Sequence, residues 1–383
     1  MRAHTSRRRF LASGLALPAL SAAQSSRAPE LEHRTLGNTG LKVTSLGFGC
    51  LLASDSVVVE RACDLGINFY DTARHYQGGN NERMLAAGLR GRRDNIVIAS
   101  KSVAKTKSEM LGHLETSLKT LGTDYLDIWY MHDQKDPAGI NDDMLEAHEA
   151  ARKAGKIRFS GVSFHTKMVE MIQKCLDLGV IDVALTSYNF TLGPELTESI
   201  NAAREKGLGI VAMKTMAGGY NRIKQGVIPY GRPADELTAT LRQDNAMLSA
   251  LKFALNNPNV DSAIVGITDF AELEEDMRAM SEPYSEADEK LLAVQRESIR
   301  PRYCQACGAC DGQCGKGVQV AETQRQLMYA EGYGQFALAR ESYLSQPAEA
   351  RAARCSGCST CTVTCPNGLD VRRNLIRAQE MFG

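Results

Sequence analysis

The chain has 383 residues, and its 45 basic and 45 acidic side chains give a formal net charge of 0 at pH 7. This balance, with no basic stripe along the sequence, argues against nucleic acid as a partner. Beyond the N-terminus, no apolar segment approaches the ~20 residues that a membrane-spanning helix requires. We therefore expect a mature chain that does not span a membrane.

The N-terminus predicts a signal peptide over residues 1–23, followed by a linker over 24–32. A run of three arginines and Phe10-Leu11 precedes a short apolar stretch and the small residues 21–23, which is the order of a secretory signal. Two arginines before x-Phe-Leu resemble the twin-arginine type, which exports folded proteins. We expect a periplasmic or otherwise exported protein, although a basic disordered tail is the alternative.

The middle of the chain alternates short β-branched runs with helical patterns, and eight strands are predicted. They are 43–48, 67–71, 96–100, 126–131, 157–163, 182–187, 209–214 and 262–266. Asp55 is predicted to cap a helix that stops at Gly66, and Asn141 another that stops at Gly155. This alternation predicts a parallel (β/α)8 barrel over residues 33–298. A doubly wound sheet is less favoured, because no Gly-rich dinucleotide motif follows the first strand.

Four polar residues follow or end successive predicted strands, at the end where barrel enzymes carry their chemistry. Carbonyl reduction by hydride needs a proton donor at the oxygen, and Tyr76 is the candidate. Lys101 is expected to lower the pKa of this tyrosine, and Asp71 to hold Lys101 through a charge-assisted hydrogen bond. His132 is expected to position the carbonyl. These four are the predicted catalytic residues.

Eight of the eleven cysteines lie within the last 80 residues, in two copies of C-x2-C-x2-C-x3-C. They are Cys304, Cys307, Cys310 and Cys314, then Cys355, Cys358, Cys361 and Cys365. This spacing is typical of a two-cluster ferredoxin, in which the fourth cysteine of each run ligates the other cluster. It predicts one [4Fe–4S] cluster on the first three cysteines with Cys365, and a second on Cys355, Cys358 and Cys361 with Cys314. A zinc site or a disulfide framework fits the spacing less well.

These cysteines define a mainly helical iron–sulfur domain over residues 299–383. Between the two motifs, apolar residues recur at helical spacing and predict one or two amphipathic helices. They are Leu327, Met328, Tyr329, Tyr333, Phe336, Leu338, Tyr343 and Leu344. We expect these helices to dock the clusters over the mouth of the barrel.

Residues 33–280 resemble the aldo/keto reductase family. The run 33–41 is similar to its opening hairpin, and residues 66–73 with Tyr76 are similar to its first signature. Asp71, Tyr76, Lys101 and His132 match its tetrad. The whole layout resembles a bacterial subgroup with a twin-arginine signal and a C-terminal ferredoxin-like segment. The resemblance implies an NAD(P)-dependent oxidoreductase acting on a small carbonyl or alcohol.

The resemblance also implies nucleotide contacts at the mouth of the barrel. The positions are Ser163, Met213, Lys214, Gly266 and Thr268. Several usual contacts differ: Phe164 and Leu185 replace amide side chains, and Glu272 stands where an arginine commonly binds the 2′-phosphate. Because a carboxylate repels that phosphate, we expect NAD(H) to be at least as suitable as NADP(H).

The sequence therefore predicts an exported oxidoreductase whose two clusters couple to the barrel or stabilise it, with a redox partner protein as a further expectation. The alternative is an electron-transfer protein whose barrel is a docking scaffold. The loop 217–242 is expected either to close over the ligand or to be a surface insertion.

Overall fold

The structure is a computed structural model that describes residues 31–218, 246–301 and 303–383. The predicted signal peptide, nearly all of the linker, and the loop beyond Gly218 lie outside the described residues. Within the described ranges, no helix combines the length and the apolar character needed to cross a bilayer.

The described residues form ten strands, of which eight close into a parallel barrel. They are β1 (His33–Thr35), β2 (Lys42–Thr44), β3 (Leu46–Gly49), β4 (Phe69–Asp71), β5 (Val97–Ser102), β6 (Leu126–Gln134), β7 (Ile157–Phe164), β8 (Val183–Ser187), β9 (Gly209–Met213) and β10 (Ser262–Gly266). The barrel runs in chain order from β3 to β10, and β10 pairs back with β3. Each of the eight predicted runs overlaps one strand of the barrel.

The predicted first strand, 43–48, is in fact two strands. β2 pairs antiparallel with β1 in a hairpin, whereas β3 pairs with β4 and β10 in the barrel. The chain changes partners at Ser45, whose amide donates to Glu32 and whose carbonyl accepts from Ala263. The run 43–48 contains no charged residue and no proline that would mark this break.

The hairpin contributes to the barrel interior. Leu36 and Val43 are fully buried against interior side chains that include Phe69 and Ile128. Burying an aliphatic side chain of this size stabilises the fold by about 1.5–3 kcal/mol. Apolar packing therefore holds the hairpin against the barrel.

Twelve α-helices lie in the described ranges. They are α1 (Ser56–Asp64), α2 (Asn80–Gly88), α3 (Lys107–Leu121), α4 (Asp142–Lys153), α5 (Met168–Leu178), α6 (Pro194–Glu205), α7 (Ala246–Asn256), α8 (Phe270–Met277), α9 (Glu286–Ile299), α10 (Val320–Glu331), α11 (Phe336–Ser345) and α12 (Val371–Phe382). The predicted caps are confirmed, since Asp55 accepts from the amide of Val57 and Asn141 from that of Met144. Each cap satisfies an amide that has no partner within its helix.

The C-terminal domain is mainly helical and has its own apolar core. Leu327 of α10, Tyr343 of α11 and Leu375 of α12 belong to that core, as does Cys355, and four further motif cysteines pack against it. The predicted amphipathic helices between the two motifs are α10 and α11. The preceding helix α9 ends at Ile299, one residue beyond the predicted boundary.

Helix α10 docks on the mouth of the barrel through one tyrosine. The hydroxyl of Tyr329 accepts hydrogen bonds from Lys214, which follows β9, and from Arg325 at 3.1 Å. The Lys214 ammonium also lies 4.4 Å from the centroid of the Tyr329 ring. Although burial raises the pKa of Tyr329, these two cations lower it below the ordinary value. The predicted docking at the mouth is therefore found for α10; placement of the clusters over the mouth stays a prediction.

Other contacts across the same interface come from loops. Glu322 pairs with Lys135 at 3.1 Å, and Gln305 donates to the Thr191 carbonyl at 3.0 Å. Gly218 has a φ of +76° and packs so closely on Gly332 and Tyr333 that a β-carbon there would lie 3.1 Å from both. The loop that begins after β9 therefore starts in contact with the C-terminal domain.

Replacing Tyr329 with Phe removes the oxygen that accepts from Lys214 and Arg325. Hydrogen bonds to charged groups contribute about 1.5–3 kcal/mol, and about 1.4 kcal/mol is a factor of ten in an equilibrium. We expect the undocked population to rise about tenfold. The measurement is the rate of trypsin cleavage at the bond before Tyr303, a residue buried against the barrel, because that rate tracks the undocked population when opening is fast.

Tyr284→Phe is the matched control, because its hydroxyl donates to Glu289 without crossing the interface. Cleavage of Tyr329→Phe at the wild-type rate would contradict the role given to this tyrosine.

Candidate functional site

The four predicted catalytic side chains meet at the C-terminal mouth of the barrel. Asp71, Lys101 and His132 lie on β4, β5 and β6, which are hydrogen-bonded neighbours. Tyr76 opens a short 3-10 helix after β4. The Lys101 ammonium lies 5.0 Å from the centroid of the Tyr76 ring, and the rings of Tyr76 and His132 are 5.7 Å apart.

Lys101 and His132 lie inside their strands, whereas the predicted strands ended before them. β5 runs to Ser102 and β6 to Gln134. In β6 the register shifts between Met131 and Gln134, and Asp133 has a φ of +51°. Such a bulge re-aims the neighbouring side chains. The strand therefore continues past His132 through an irregularity that the apolar pattern does not reveal.

Lys101 and Asp71 form an ion pair inside the protein, 1% and 2% exposed. The ammonium donates to Asp71 Oδ1 and, at 2.7 Å, to the Thr72 carbonyl. Burial disfavours both charges, so it raises the pKa of Asp71 and lowers that of Lys101, while their attraction opposes both shifts. Asp71 therefore anchors Lys101 as predicted.

Tyr76 holds its proton more tightly than an ordinary tyrosine. Burial raises its pKa well above the usual value, and the charges of Asp71 and Tyr329 act in the same direction. The expected lowering of the Tyr76 pKa by Lys101 is outweighed, because burial destabilises a phenolate by more than a cation at this distance stabilises it. The expectation of a lowered pKa is wrong for this arrangement, which keeps the phenol protonated.

His132 is a neutral imidazole. Burial lowers its pKa well below the ordinary value, and Lys101 and the nearby His75 act in the same direction. Its Nδ1 atom is buried and has no hydrogen-bond partner among the described residues. A neutral imidazole keeps one N–H group, so His132 is able to donate to an oxygen at the mouth.

Two buried residues of α2 support this group and were not identified from the sequence. Asn81 accepts from the Thr72 hydroxyl at 2.6 Å and donates to the Cys50 carbonyl at 2.6 Å. Glu82 accepts from Ser100 at 2.7 Å and from Arg74. Both side chains are 0% exposed. The sequence did carry a signal, because Asn81 and Glu82 lie in the first turn of a helix that begins four residues after Tyr76.

The predicted nucleotide contacts at β7 and β9 are engaged by protein groups. Ser163 is buried and accepts from the Asp133 amide at 3.0 Å. The Met213 carbonyl accepts from the Tyr188 amide, and Lys214 is bonded to Tyr329. Tyr329 is a residue of the mouth that the sequence did not assign to the site.

At β10, the positions predicted to contact the phosphate end of the nucleotide include a carboxylate, that of Glu272. Thr268 donates from its amide and its hydroxyl to Glu272, at 2.8 and 2.7 Å, and Glu272 is 3% exposed. Gly266 ends β10 in an exposed position. A buried carboxylate accepts from a ribose hydroxyl but repels a 2′-phosphate. The carboxylate at this position therefore offers nothing that would bind a 2′-phosphate.

Phe164 and Leu185, which stand where the family commonly has amide side chains, are apolar core residues. Phe164 packs in the main core between strands and helices, and Leu185 packs in the barrel interior. Neither side chain offers a hydrogen bond to a carboxamide, so any nicotinamide here is positioned by other groups.

The motif cysteines group as the ferredoxin pairing predicts. Cys304 and Cys310 lie near enough to Cys365 for their charges to interact, although Cys365 is more than 50 residues away in the chain. A small apolar cleft is lined by the predicted first set, Cys304, Cys307, Cys310 and Cys365.

The second set of cysteines also includes one cysteine from the other motif. Cys355 interacts with Cys314 of the first motif as well as with Cys358 and Cys361. The fourth cysteine of each motif therefore lies with the other set.

The donor chemistry fits cubane clusters. All eleven cysteines are free thiols, and within the described ranges no three potential ligands converge on one metal ion. A cubane does not require such convergence, because its four thiolates bind different irons. Burial raises the pKa of Cys304 to about 12 and that of Cys355 to about 11, so thiolate at these positions requires bound cations.

Comparison with known proteins gives matches for both parts of the chain. Residues 53–293 match the aldo/keto reductase family, and residues 303–370 match a 4Fe-4S dicluster domain. L-galactose dehydrogenase of Arabidopsis thaliana is 27% identical over 305 residues, covering 71% of this chain and 95% of its own. L-glyceraldehyde 3-phosphate reductase of Escherichia coli is 25% identical, covering 68% and 90%.

Solved structures agree. The holo form of an aldo-keto reductase from Bacillus halodurans superposes with a TM-score of 0.57 at 25% identity, covering 70% of this chain and 96% of that one. The chain therefore belongs to the aldo/keto reductase family, whose barrel it joins to a C-terminal 4Fe–4S dicluster domain.

Proposed function

We propose that the barrel interconverts a small carbonyl compound and its alcohol, with NAD(H) as the hydride carrier. The observation that carries the proposal is the buried Lys101–Asp71 pair beside Tyr76 and His132 at one mouth. Family members are typically NAD(P)-dependent oxidoreductases. Two relatives are named for L-galactose and L-glyceraldehyde 3-phosphate, which supports a small hydroxylated substrate.

The protonation state of each side chain determines its role in the reaction. Tyr76 remains a phenol at neutral pH and donates its proton to the carbonyl oxygen as negative charge develops there. Neutral His132 donates a hydrogen bond to the same oxygen and fixes its position. Lys101, held by Asp71, places a positive charge near the phenolate that results. Bound nicotinamide supplies the hydride to the carbonyl carbon.

We further propose that the eight motif cysteines hold two [4Fe–4S] clusters that exchange electrons with a partner protein. The crossed grouping of Cys314 and Cys365 supports this assignment. A second candidate function is electron transfer with the barrel as a docking scaffold. The observation that favours it is the engagement of Lys214 and Thr268 by protein groups at predicted nucleotide contacts.

Export through the twin-arginine pathway is also a proposal, supported by the arginine pair Arg7-Arg8 before Arg9-Phe10-Leu11 and the short apolar stretch. A protein that acquires clusters in the cytoplasm must cross the membrane folded, which is what this pathway allows. The periplasm is the expected destination.

Tyr76→Phe removes the proton donor and should lower carbonyl turnover by about 10²–10⁴-fold, with the iron content unchanged. The measurement is NADH oxidation with a panel of small aldehydes. Tyr70→Phe is the control, since that buried hydroxyl donates to the Ile67 carbonyl away from the mouth. Full turnover by Tyr76→Phe would end the assignment.

Glu272→Gln keeps the size of the side chain but removes its charge, so binding of NADPH relative to NADH should improve about tenfold. Fluorescence titration of both nucleotides measures the ratio. The control is Glu274→Gln on the exposed face of the same helix. The NAD(H) preference is refuted if wild-type protein binds NADPH tenfold more tightly than NADH.

Replacing Arg7 and Arg8 together with lysine should retain the protein in the cytoplasm, because the twin-arginine pathway requires the arginine pair. Immunoblots of periplasmic and cytoplasmic fractions measure the effect, with Arg9→Lys as the control. Unchanged export of the double variant would contradict the assigned pathway.

A further inference from the structure

Three cationic side chains surround the ligand loops of the second cluster site. Arg372 donates to the carbonyl of Cys358 at 2.9 Å. Arg354 donates to the carbonyl of Lys316 at 2.9 Å, and Lys316 lies two residues after Cys314. These contacts hold both guanidinium groups against the ligand loops. Lys316, Arg354 and Arg372 are named the basic rim.

The basic rim is exposed, and its charge is uncompensated in the described part of the chain. The ion pairs inside the C-terminal domain use other arginines, as in Arg325–Glu322 and Arg377–Glu331. Asp370, which is close in sequence, caps α12 by accepting from the Arg373 amide. No described carboxylate forms an ion pair with any of the three rim cations. The rim is therefore a concentrated patch of positive potential.

The two cluster sites face different surroundings. The loop of the first set contacts the barrel, where Ala306 accepts from the Lys167 amide at 3.1 Å. In contrast, residues 351–365 form their hydrogen bonds within the C-terminal domain, among the described residues. The first site is thus the one whose loop is bonded to the barrel, and the basic rim belongs to the other site.

We infer that the basic rim is the docking surface for a small acidic one-electron carrier protein, which exchanges electrons with the second cluster. The inference rests on the iron–sulfur part of the proposed function. Transient redox complexes bury little surface, so a few uncompensated charges govern their orientation and association rate. Among the described residues, Lys167 packs on Gly308 beside the first site and is paired with Asp136. The unpaired positive charge beside the second site therefore indicates where the partner binds.

The electrons balance without any bond change. In each encounter one electron passes between the redox centre of the carrier and one cluster of this protein. One centre is oxidised and the other is reduced by one electron, and no proton or group is transferred. A one-electron carrier is therefore sufficient as the partner.

The test uses the anaerobically purified holoprotein and an acidic plant-type [2Fe–2S] ferredoxin as the probe. Calorimetric titration at low and high salt gives the dissociation constant. Rapid-freeze electron paramagnetic resonance after mixing with reduced ferredoxin gives the transfer rate. Iron content and visible absorbance establish that each variant retains its clusters.

The variant is Lys316→Glu with Arg354→Glu, and the matched control is Arg83→Glu with Arg90→Glu, two exposed cations on the barrel. We expect salt to weaken binding to the wild type, and the rim variant to bind and react about tenfold more weakly at low salt. The control should equal the wild type, and dithionite should reduce all three alike. If the rim variant loses iron, Lys316→Gln with Arg354→Gln replaces it, with a smaller loss of the same kind.

The inference is overturned if wild-type protein with intact clusters does not bind the ferredoxin, if binding is insensitive to salt, or if the rim variant equals the control. Carbonyl turnover enters none of these readouts, and Tyr76→Phe should bind the ferredoxin as the wild type does. Failure of the docking surface is therefore distinguishable from failure of the proposed carbonyl chemistry.

Discussion

The buried ion pair between Lys101 and Asp71 is the constraint on which the mouth of the barrel depends. Two charges that are almost fully excluded from water persist only if each satisfies the other and nearby polar groups complete the bonding. The Thr72 carbonyl accepts directly from the Lys101 ammonium, and Asn81 holds Thr72 in place by accepting from its hydroxyl. Because these partners lie on neighbouring elements, the closed barrel itself determines the position of the ammonium beside Tyr76.

The sequence was sufficient for the barrel and the tetrad because parallel strands bring their ends to one edge. The positions of Asp71, Lys101 and His132 after apolar runs carried that information. The irregularities were not predictable from the pattern. The break at Ser45 and the bulge at Asp133 arise from which strands the chain pairs with, and no proline or glycine marks either position. The protonated state of Tyr76 likewise depends on burial, which local sequence does not report.

In the C-terminal domain, too, one part of the structure was predictable from the sequence and another part was not. Cysteine spacing predicted the crossed ligand sets, because the motif encodes its own geometry. The contact of Tyr329 with Lys214 joins residues 115 positions apart and requires both domains to be in place. Lys214 was predicted to contact a nucleotide, and in this structure its ammonium donates to a phenol of the other domain.

The crossing of the fourth cysteines makes the two clusters interdependent. Cys314 follows the first ligand run but lies with the second set, and Cys365 does the reverse. Damage to either cluster therefore frees a loop that also carries ligands of its neighbour, so the domain fills or empties as a unit. Under the proposed export of the folded protein, a checkpoint on folding would then also be a checkpoint on iron loading.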